Sequence, residues 1–344
     1  MSQFIQLHIL TSYGPSNLNR DDLGRPKTAK MGGFDRLRIS SQSLKRNWRT
    51  SELFSEALAG HIGIRTKRFG LQLLAKLEEG GIAAKPAREW AMTVAAVFGK
   101  GIKDSLEIKQ LAHISPHEQE ACFALIAVLI AENRPPIMAE LNLLRHENSA
   151  VDIAMFGRML ASSTAFNVEA ACQVAHALSV HSIVIEDDYF TAVDDLNDGT
   201  VNSGSSHIGE SGFAAALFYS NVCINKTLLV ENLNGNEALA NRAIKALTEA
   251  TVKISPKGKQ NSFASRAYAS YVLVEKGPQQ PRSLSVAFLK PISDHDQADA
   301  AIGALTKQVD NFDKVYGPCA DSRYSLNAHT GEGDFAALSE FIVA

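Results

Sequence analysis

Arg36-Leu37-Arg38-Ile39-Ser40-Ser41-Gln42-Ser43-Leu44-Lys45-Arg46-Asn47-Trp48-Arg49 is the stretch on which the reading of this chain turns. Its first four residues alternate basic and apolar, as in a short strand, and a helix then opens on serines. A helix start presents free backbone N–H groups and the positive end of the dipole, which together favour an anion. Gln42, Lys45 and Arg49 fall at i, i+3 and i+7 along one face of that helix. Leu44 and Trp48 form an adjacent apolar stripe. The spacing predicts a phosphate cradle anchored to a core.

Charge supports a local anion site. Residues 1–50 hold nine Lys or Arg and three Asp or Glu, a net +6, whereas the whole chain is −3 and residues 51–344 are −9. A basic segment on a weakly acidic protein points to a polyanion; its plain competitor is a solvated basic helix face. At 344 residues, 45% hydrophobic and 21% charged, the chain has the composition of a soluble globular protein with one large core or two moderate ones. Met1-Ser2-Gln3-Phe4 has no charged leader region, and no run of about 18 apolar residues occurs, so neither a signal peptide nor a membrane span is expected. Cys122, Cys172, Cys223 and Cys319 are widely separated. That spacing suits reduced thiols and a cytoplasmic protein, not a zinc site or a disulfide framework.

Working outward, Ile5, Leu7 and Ile9 alternate with Gln6 and His8 as in a half-buried strand. Residues 12–35 then form a long polar loop rich in glycine, proline and basic residues, of a length that tends to be functional. Residues 64–147 read as helices: one carries Phe69, Leu73, Leu74 and Leu77, and a second Trp90, Val94, Val97 and Phe98. Pro116 opens a third, and Pro135-Pro136 a fourth. Sheet patterns return at Val151–Leu160, and residues 170–185 fit helix or strand. Residues 186–210 hold seven acids and no Lys or Arg. Phe213–Ile224, Tyr271–Val274 and Leu284–Leu289 read as strands. Helices are expected around Leu239–Leu247 and from near Ser293, the latter with a stripe of Ala298, Ala301, Ile302, Leu305, Val309 and Phe312. The order implies an α+β fold rather than regular βαβ alternation.

Familiar catalytic signatures are missing. No phosphate-binding G-x-x-x-x-G-K-[ST] loop or G-x-S-x-G elbow appears, and Gly258-Lys259-Gln260 is only a fragment of the former. Ser203-Gly204-Ser205-Ser206-His207 reads as a loop. His113 and His117 are separated by a helix-breaking Pro116, and Cys172 and His176, at helical spacing, read as a buried cysteine with a satisfied histidine. The paired acids Asp21-Asp22, Asp187-Asp188 and Asp194-Asp195 are turn formers before they are metal ligands. No cofactor is expected. The aromatic signature of a standard RNA-recognition motif is missing too.

Several blocks nevertheless occur together and in order. Ser16-Asn17-Leu18-Asn19-Arg20-Asp21-Asp22, Gly32-Gly33, Arg38 through Arg46, Gly157-Arg158-Met159, Phe190 through Leu196 and His207-Ile208-Gly209 closely resemble the backbone subunit family of the type I-E CRISPR Cascade complex, the CasC family. They span residue 1 to about 225; residues 255–274 match more loosely. The resemblance implies a right-hand shape. Residues 1–59 and 148–344 would form a palm built as a modified RNA-recognition-motif, ferredoxin-like sheet. Residues 60–147 would be helical fingers, and a protruding thumb would lie within residues 160–211. It implies copies polymerising along one CRISPR RNA, kinking it at intervals and leaving its bases to pair with target DNA, beside other Cascade subunits and away from membranes. Such a protein grips phosphate and sugar, not base edges.

The RNA-binding residues implied are Asn19, Arg20, Lys27, Arg38, Ser40, Gln42, Lys45, Arg46, Arg49, Lys257 and Lys259 for the backbone, and Met159, Phe190, Thr191 and Ile208 at the kink. Each has a plain competitor. Met159 suits core packing, Phe190 suits packing of the thumb onto the palm, Arg36 and Arg38 suit outward-facing sheet positions, and Asn19 and Arg20 suit loop shaping or a neighbouring copy. The rival function is a metal-dependent ribonuclease of related filament architecture, with Asp21, Asp22 and Asp35 as candidate loop acids. The expectation is a non-enzymatic scaffold.

Overall fold

A computed structural model describes residues 2–145, 150–192, 195 and 207–344. The strands are β1 (Phe4–Ser16), β2 (Thr28–Met31), β3 (Phe34–Ile39), β4 (Ile64–Thr66), β5 (Ala112–Ile114), β6 (Cys172–Val174), β7 (Ala177–Ser179), β8 (Glu186–Ala192), β9 (His207–Asn225), β10 (Tyr271–Gly277) and β11 (Ser322–Asn327). The helices are α1 (Ser41–Arg49), α2 (Glu52–Ala57), α3 (Phe69–Glu79), α4 (Ala84–Ala95), α5 (Pro116–Glu132), α6 (Val151–Phe156), α7 (Lys226–Asn232), α8 (Glu237–Lys253), α9 (Gln260–Phe263), α10 (Gln297–Tyr316) and α11 (Phe335–Phe341). Among the described residues no helix is long and apolar enough to cross a membrane. All four cysteines are buried thiols.

The chain divides into two compact units. The first comprises Met1–Ser2, Glu52–Gln173 and Ile224–Ala246. Its core joins Phe69, Leu73 and Leu77 of α3, Trp90 and Val94 of α4, and Cys122, Ile126 and Leu129 of α5. These are the stripes that helical spacing predicts. Ser115 and Glu118 cap α5 reciprocally: each side chain takes the other's backbone N–H, and Pro116 at the first helical position forfeits no bond. Inside the stretch expected to be helical, β4 and β5 pair as an antiparallel ribbon.

Two expectations fail in this unit. Val151–Phe156 is a helix rather than a strand, stopped by Gly157 at φ +80°. A six-residue apolar run has too few turns for its period to decide, and the left-handed glycine is the stop signal that mattered. Pro135-Pro136 open no full helix; only a short 3₁₀ turn, Met138–Leu141, follows.

The second unit comprises Gln3–Ser51, Val174–Cys223 and Leu247–Ala344. It is built on a large antiparallel sheet with hydrogen-bonded order β11-β10-β1-β9-β7-β3-β2, and β8 pairs with the start of β9 off this path. One face packs Leu10, Tyr219, Leu273 and Leu284 against Ala301, Leu305 and Val309 of α10. The opposite face carries Ile9, Ile39 and Phe218 beneath Leu44 and Trp48 of α1. With both faces covered, β1 is buried from Ile5 to Thr11, polar Gln6 and His8 included. Alternation correctly gave the two faces of β1 but implied a solvated one. Leu284–Leu289, expected as a strand, contains a 3₁₀ turn at Ser285–Phe288.

Arg36 carries a further correction. It is fully buried, not outward-facing. Its guanidinium donates to the carbonyls of Ser179 at 2.9 Å and Phe288 at 2.8 Å, knitting β3 to the 3₁₀ turn. A buried cation needs such partners.

Candidate nucleic-acid interface

The β3–α1 junction forms as its sequence predicts. Ser40 has extended backbone angles, and its hydroxyl accepts from Ser43 N, the N-cap geometry. Leu44 and Trp48 point into the core. Arg46 and Arg49 occupy the last turn, where the negative end of the helix dipole favours cations. Asn19 reaches across from the preceding loop, and its Oδ1 accepts from Ser40 N at 2.9 Å. Thus Asn19 and Ser40, both candidate contacts, also set the helix start.

The loop carrying Asn19 and Arg20 is itself pinned. Asn17 is fully buried and donates through Nδ2 to the carbonyls of Gly24 and Gly212, each at 2.9 Å. Asp21 Oδ1 accepts from Leu23 N and Arg25 N, both at 2.9 Å, which closes the tip as a turn. Lys27 N donates to Asn19 O.

Between this loop and α1 lies an open groove of about 680 Å³, lined by Asn19, Arg20, Asp21, Asp22, Ser43, Arg46, Asn47, Lys257 and Gly258 among others. It joins four candidates, Asn19, Arg20, Arg46 and Lys257, from three separate parts of the chain. From α1 it takes the row Ser43, Arg46, Asn47 and Thr50. Gln42, Lys45 and Arg49 lie on the neighbouring row; Gln42 is exposed, and Lys45 and Arg49 are half-buried. Lys27 lines a smaller recess with Asn19, Arg38 and Phe218. The Arg38 guanidinium turns elsewhere, to Thr28 O at 3.3 Å and His176 Nδ1 at 3.2 Å. The Lys259 ammonium is engaged by the Ser211 hydroxyl.

The apolar candidates are not among the residues that line this groove. Met159 follows α6 in the first unit and is 80% exposed, so the core-packing alternative does not apply to it. In the second unit β8 and β9 form an antiparallel arm in which Thr191 faces Ile208 and Phe190 faces Gly209. The Phe190 ring occupies the space that a side chain at Gly209 would need. Strand alternation puts Phe190 on one face of the arm, and Thr191 with Ile208 on the other. Both Phe190 and Ile208 are substantially exposed. Glu186–Ala192 is exposed throughout, and Asp187 pairs with Arg25 at 3.0 Å. Val193, Asp194 and Leu196 of the expected thumb, and residues 203–206 of the expected loop, lie outside the described residues.

Of the acids named for metal chemistry, Asp21 and Asp22 both line the groove. Asp21 closes its turn, and Asp35 pairs with Lys30 at 3.1 Å. Among the described residues, the acids and histidine placed closely enough to share a cation are Asp296, Asp299 and His329, all exposed and none of them a candidate from the sequence. His113 binds Asp152 at 2.8 Å within the first unit.

The chain matches the family of CT1975-like proteins over residues 5–341. Comparison with curated protein sequences finds no match. Among solved structures, one described as a CRISPR RNA-guided surveillance complex, pre-nicking, contains a chain 27% identical to this one. The two superpose with a TM-score of 0.85, and the match covers 99% of each chain. A second, from a structure described as a CRISPR RNA-guided surveillance complex, is 24% identical with a TM-score of 0.63 over 99% of this chain and 98% of that one. At that identity the second shares the fold.

Proposed function

We propose, from the premise that this chain belongs to the family of CT1975-like proteins, that it is a subunit of a CRISPR RNA-guided surveillance complex and serves there as a non-catalytic holder of the guide. Copies assemble along one CRISPR RNA. The groove and α1 hold its sugar–phosphate backbone, the β8–β9 arm separates bases at intervals, and Met159 offers a base contact of its own. The intervening bases stay free to pair with target DNA, alongside the other subunits of a Cascade-type complex. The second unit acts as a ferredoxin-like palm and the helical first unit supplies the fingers. A cytoplasmic location follows from that role.

One observation carries this reading: Asn19, Arg20, Arg46 and Lys257 converge on a single open groove beside α1. Arginine, lysine and amide N–H groups are donors that grip phosphate without reading sequence. The binding role is favoured over cutting by the turn-closing bonds of Asp21 Oδ1 and the Lys30 pair of Asp35, which engage two of the three candidate acids.

Binding to a synthetic single-stranded RNA is expected to weaken steeply with salt. Lys45→Ala, Arg46→Ala and Arg49→Ala are each expected to reduce the log–log salt slope by about 0.7, one phosphate contact on a single strand. Unchanged slopes in all three variants would refute the grip. Incubation with complementary target RNA and magnesium is expected to leave that RNA intact; cleavage would favour the ribonuclease.

A further inference from the structure

We propose that Gly258 is a positioning residue of the groove, fixing where Lys257 stands opposite the Asn19–Arg20 loop and so the width offered to a sugar–phosphate strand. This rests on reading the groove as an RNA grip. A Cβ at Gly258 would stand 2.6 Å from Asn17 O and 2.7 Å from the Leu18 carbonyl carbon, with the Leu18 oxygen closer still. All three are backbone atoms, so no rotamer change relieves the contact.

Neither side can yield locally. Asn17 ties its own loop to Gly24 and Gly212, and Asn19 ties it to α1 through Ser40 N. On the other side, Gln260 Nε2 donates to Pro256 O at 2.8 Å and Ser265 O at 3.2 Å, closing the segment around Gly258. Lys259 is held in a left-handed conformation at φ +45°, and its ammonium is bound to the Ser211 hydroxyl. A side chain at position 258 therefore moves the segment as a body, carrying Lys257 with it. Restoring ordinary van der Waals separation takes a shift of order 1 Å. A charge-assisted bond to phosphate, about 2.7–2.9 Å long, does not survive that shift.

The same geometry divides the two lysines. Lys259 braces the segment against β9, whereas Lys257 lines the groove. A pattern of two basic residues around a glycine thus resolves into one that shapes and one that binds.

The test is a double-mutant cycle on the full chain, read as the salt dependence of binding to a synthetic single-stranded RNA and as the melting temperature. Lys257→Ala and Gly258→Ala are each expected to lower the log–log slope by about 0.7. The double variant is expected to lose no more than either single one, because both remove the same contact. A wild-type slope in either single variant overturns the proposal. Additive losses overturn it too, since Gly258 would then act on something other than Lys257. Loss of folded protein in Gly258→Ala assigns the glycine to folding alone and overturns it as well. If the wild-type protein binds the RNA without salt dependence, the RNA reading itself falls, a result separable from a wild-type slope in the glycine variant alone.

Discussion

Glu275→Ala is expected to destabilise the second unit by about 3–5 kcal/mol, the cost of breaking a buried ionic cluster by removing one partner. Glu275 lies on β10 and is fully buried. Strand register places Gln6 of β1 on one side of it and Arg323 of β11 on the other. Its carboxylate accepts from His8 Nε2 at 3.1 Å, from Arg282 Nη1 at 2.5 Å and Nη2 at 3.0 Å, and from Arg323 Nε at 2.7 Å. Arg323 also holds Asp313. Truncation leaves two guanidinium groups facing each other without the carboxylate. Trp48, buried in α1, reports this unit by fluorescence. A thermal or urea transition within about 1 kcal/mol of wild type would show that the cluster is replaceable.

Acid should dismantle the same cluster in two stages. Burial, working against the hydrogen bond that His8 donates to Glu275, pulls His8 below its ordinary pKa of 6.5. The Tyr219 hydroxyl, 2.9 Å from His8 Nδ1, suits the neutral ring as a donor. The unfolded chain therefore takes up this proton first, and stability falls as pH drops below about 6.5. Burial also works to raise the Glu275 pKa, but the bonds from His8, Arg282 and Arg323 outweigh it and hold the carboxylate well below its ordinary 4.5. Its contribution is present above that value and is lost as pH falls further. A melting-temperature profile should decline from near neutrality and steepen below about pH 4.5. His8→Gln should flatten the upper part of the decline, and an unchanged upper part would remove His8 as its source.

What the sequence revealed and what it hid follow from the range of the forces involved. The start of α1 was legible because its signals are local: an N-cap serine and an apolar pair four residues apart. The resemblance drawn from ordered blocks agrees with the family match and with the first structural neighbour. Burial of Arg36 was not legible, since alternation names a face without saying what covers it. Its partners, Ser179 and Phe288, lie 143 and 252 residues away. The groove shows the same limit. Helical spacing singled out the row of Lys45 and Arg49, whereas the groove takes the adjacent row of Arg46, because the loop and Lys257 meet α1 on that side. Gly258 gave a partial signal as part of a motif fragment, but its close approach to residues 17 and 18 is a tertiary fact.

Arg158→Met is expected to cost the first unit about 3–5 kcal/mol for a related reason, and here a second substitution can identify the cause. Arg158 belongs to a sequence block that resemblance associates with RNA contact, yet its side chain is turned inward. It donates through Nη1 to both Glu118 oxygens, at 2.9 and 2.7 Å, and through Nε and Nη2 to Phe166 O at 3.2 and 3.0 Å. Glu118 is fully buried and also takes Ser115 N at 2.9 Å and Arg145 N at 3.2 Å. Methionine fills the space of the arginine stem but leaves that carboxylate without a cation. If the uncompensated charge is the main cost, Glu118→Gln added to Arg158→Met should recover much of the loss, because the neutral amide still accepts from Ser115 N. The double variant should then melt above the Arg158→Met single variant, with Trp90 as the reporter in this core. A double variant no more stable than Arg158→Met would place the cost in the Phe166 bonds instead. Those bonds and the Arg158–Val168 bridge hold the turn that presents Met159 to solvent. In this block one residue thus anchors the turn while its neighbour is displayed, and stability and RNA binding should respond separately to Arg158→Met and Met159→Ala.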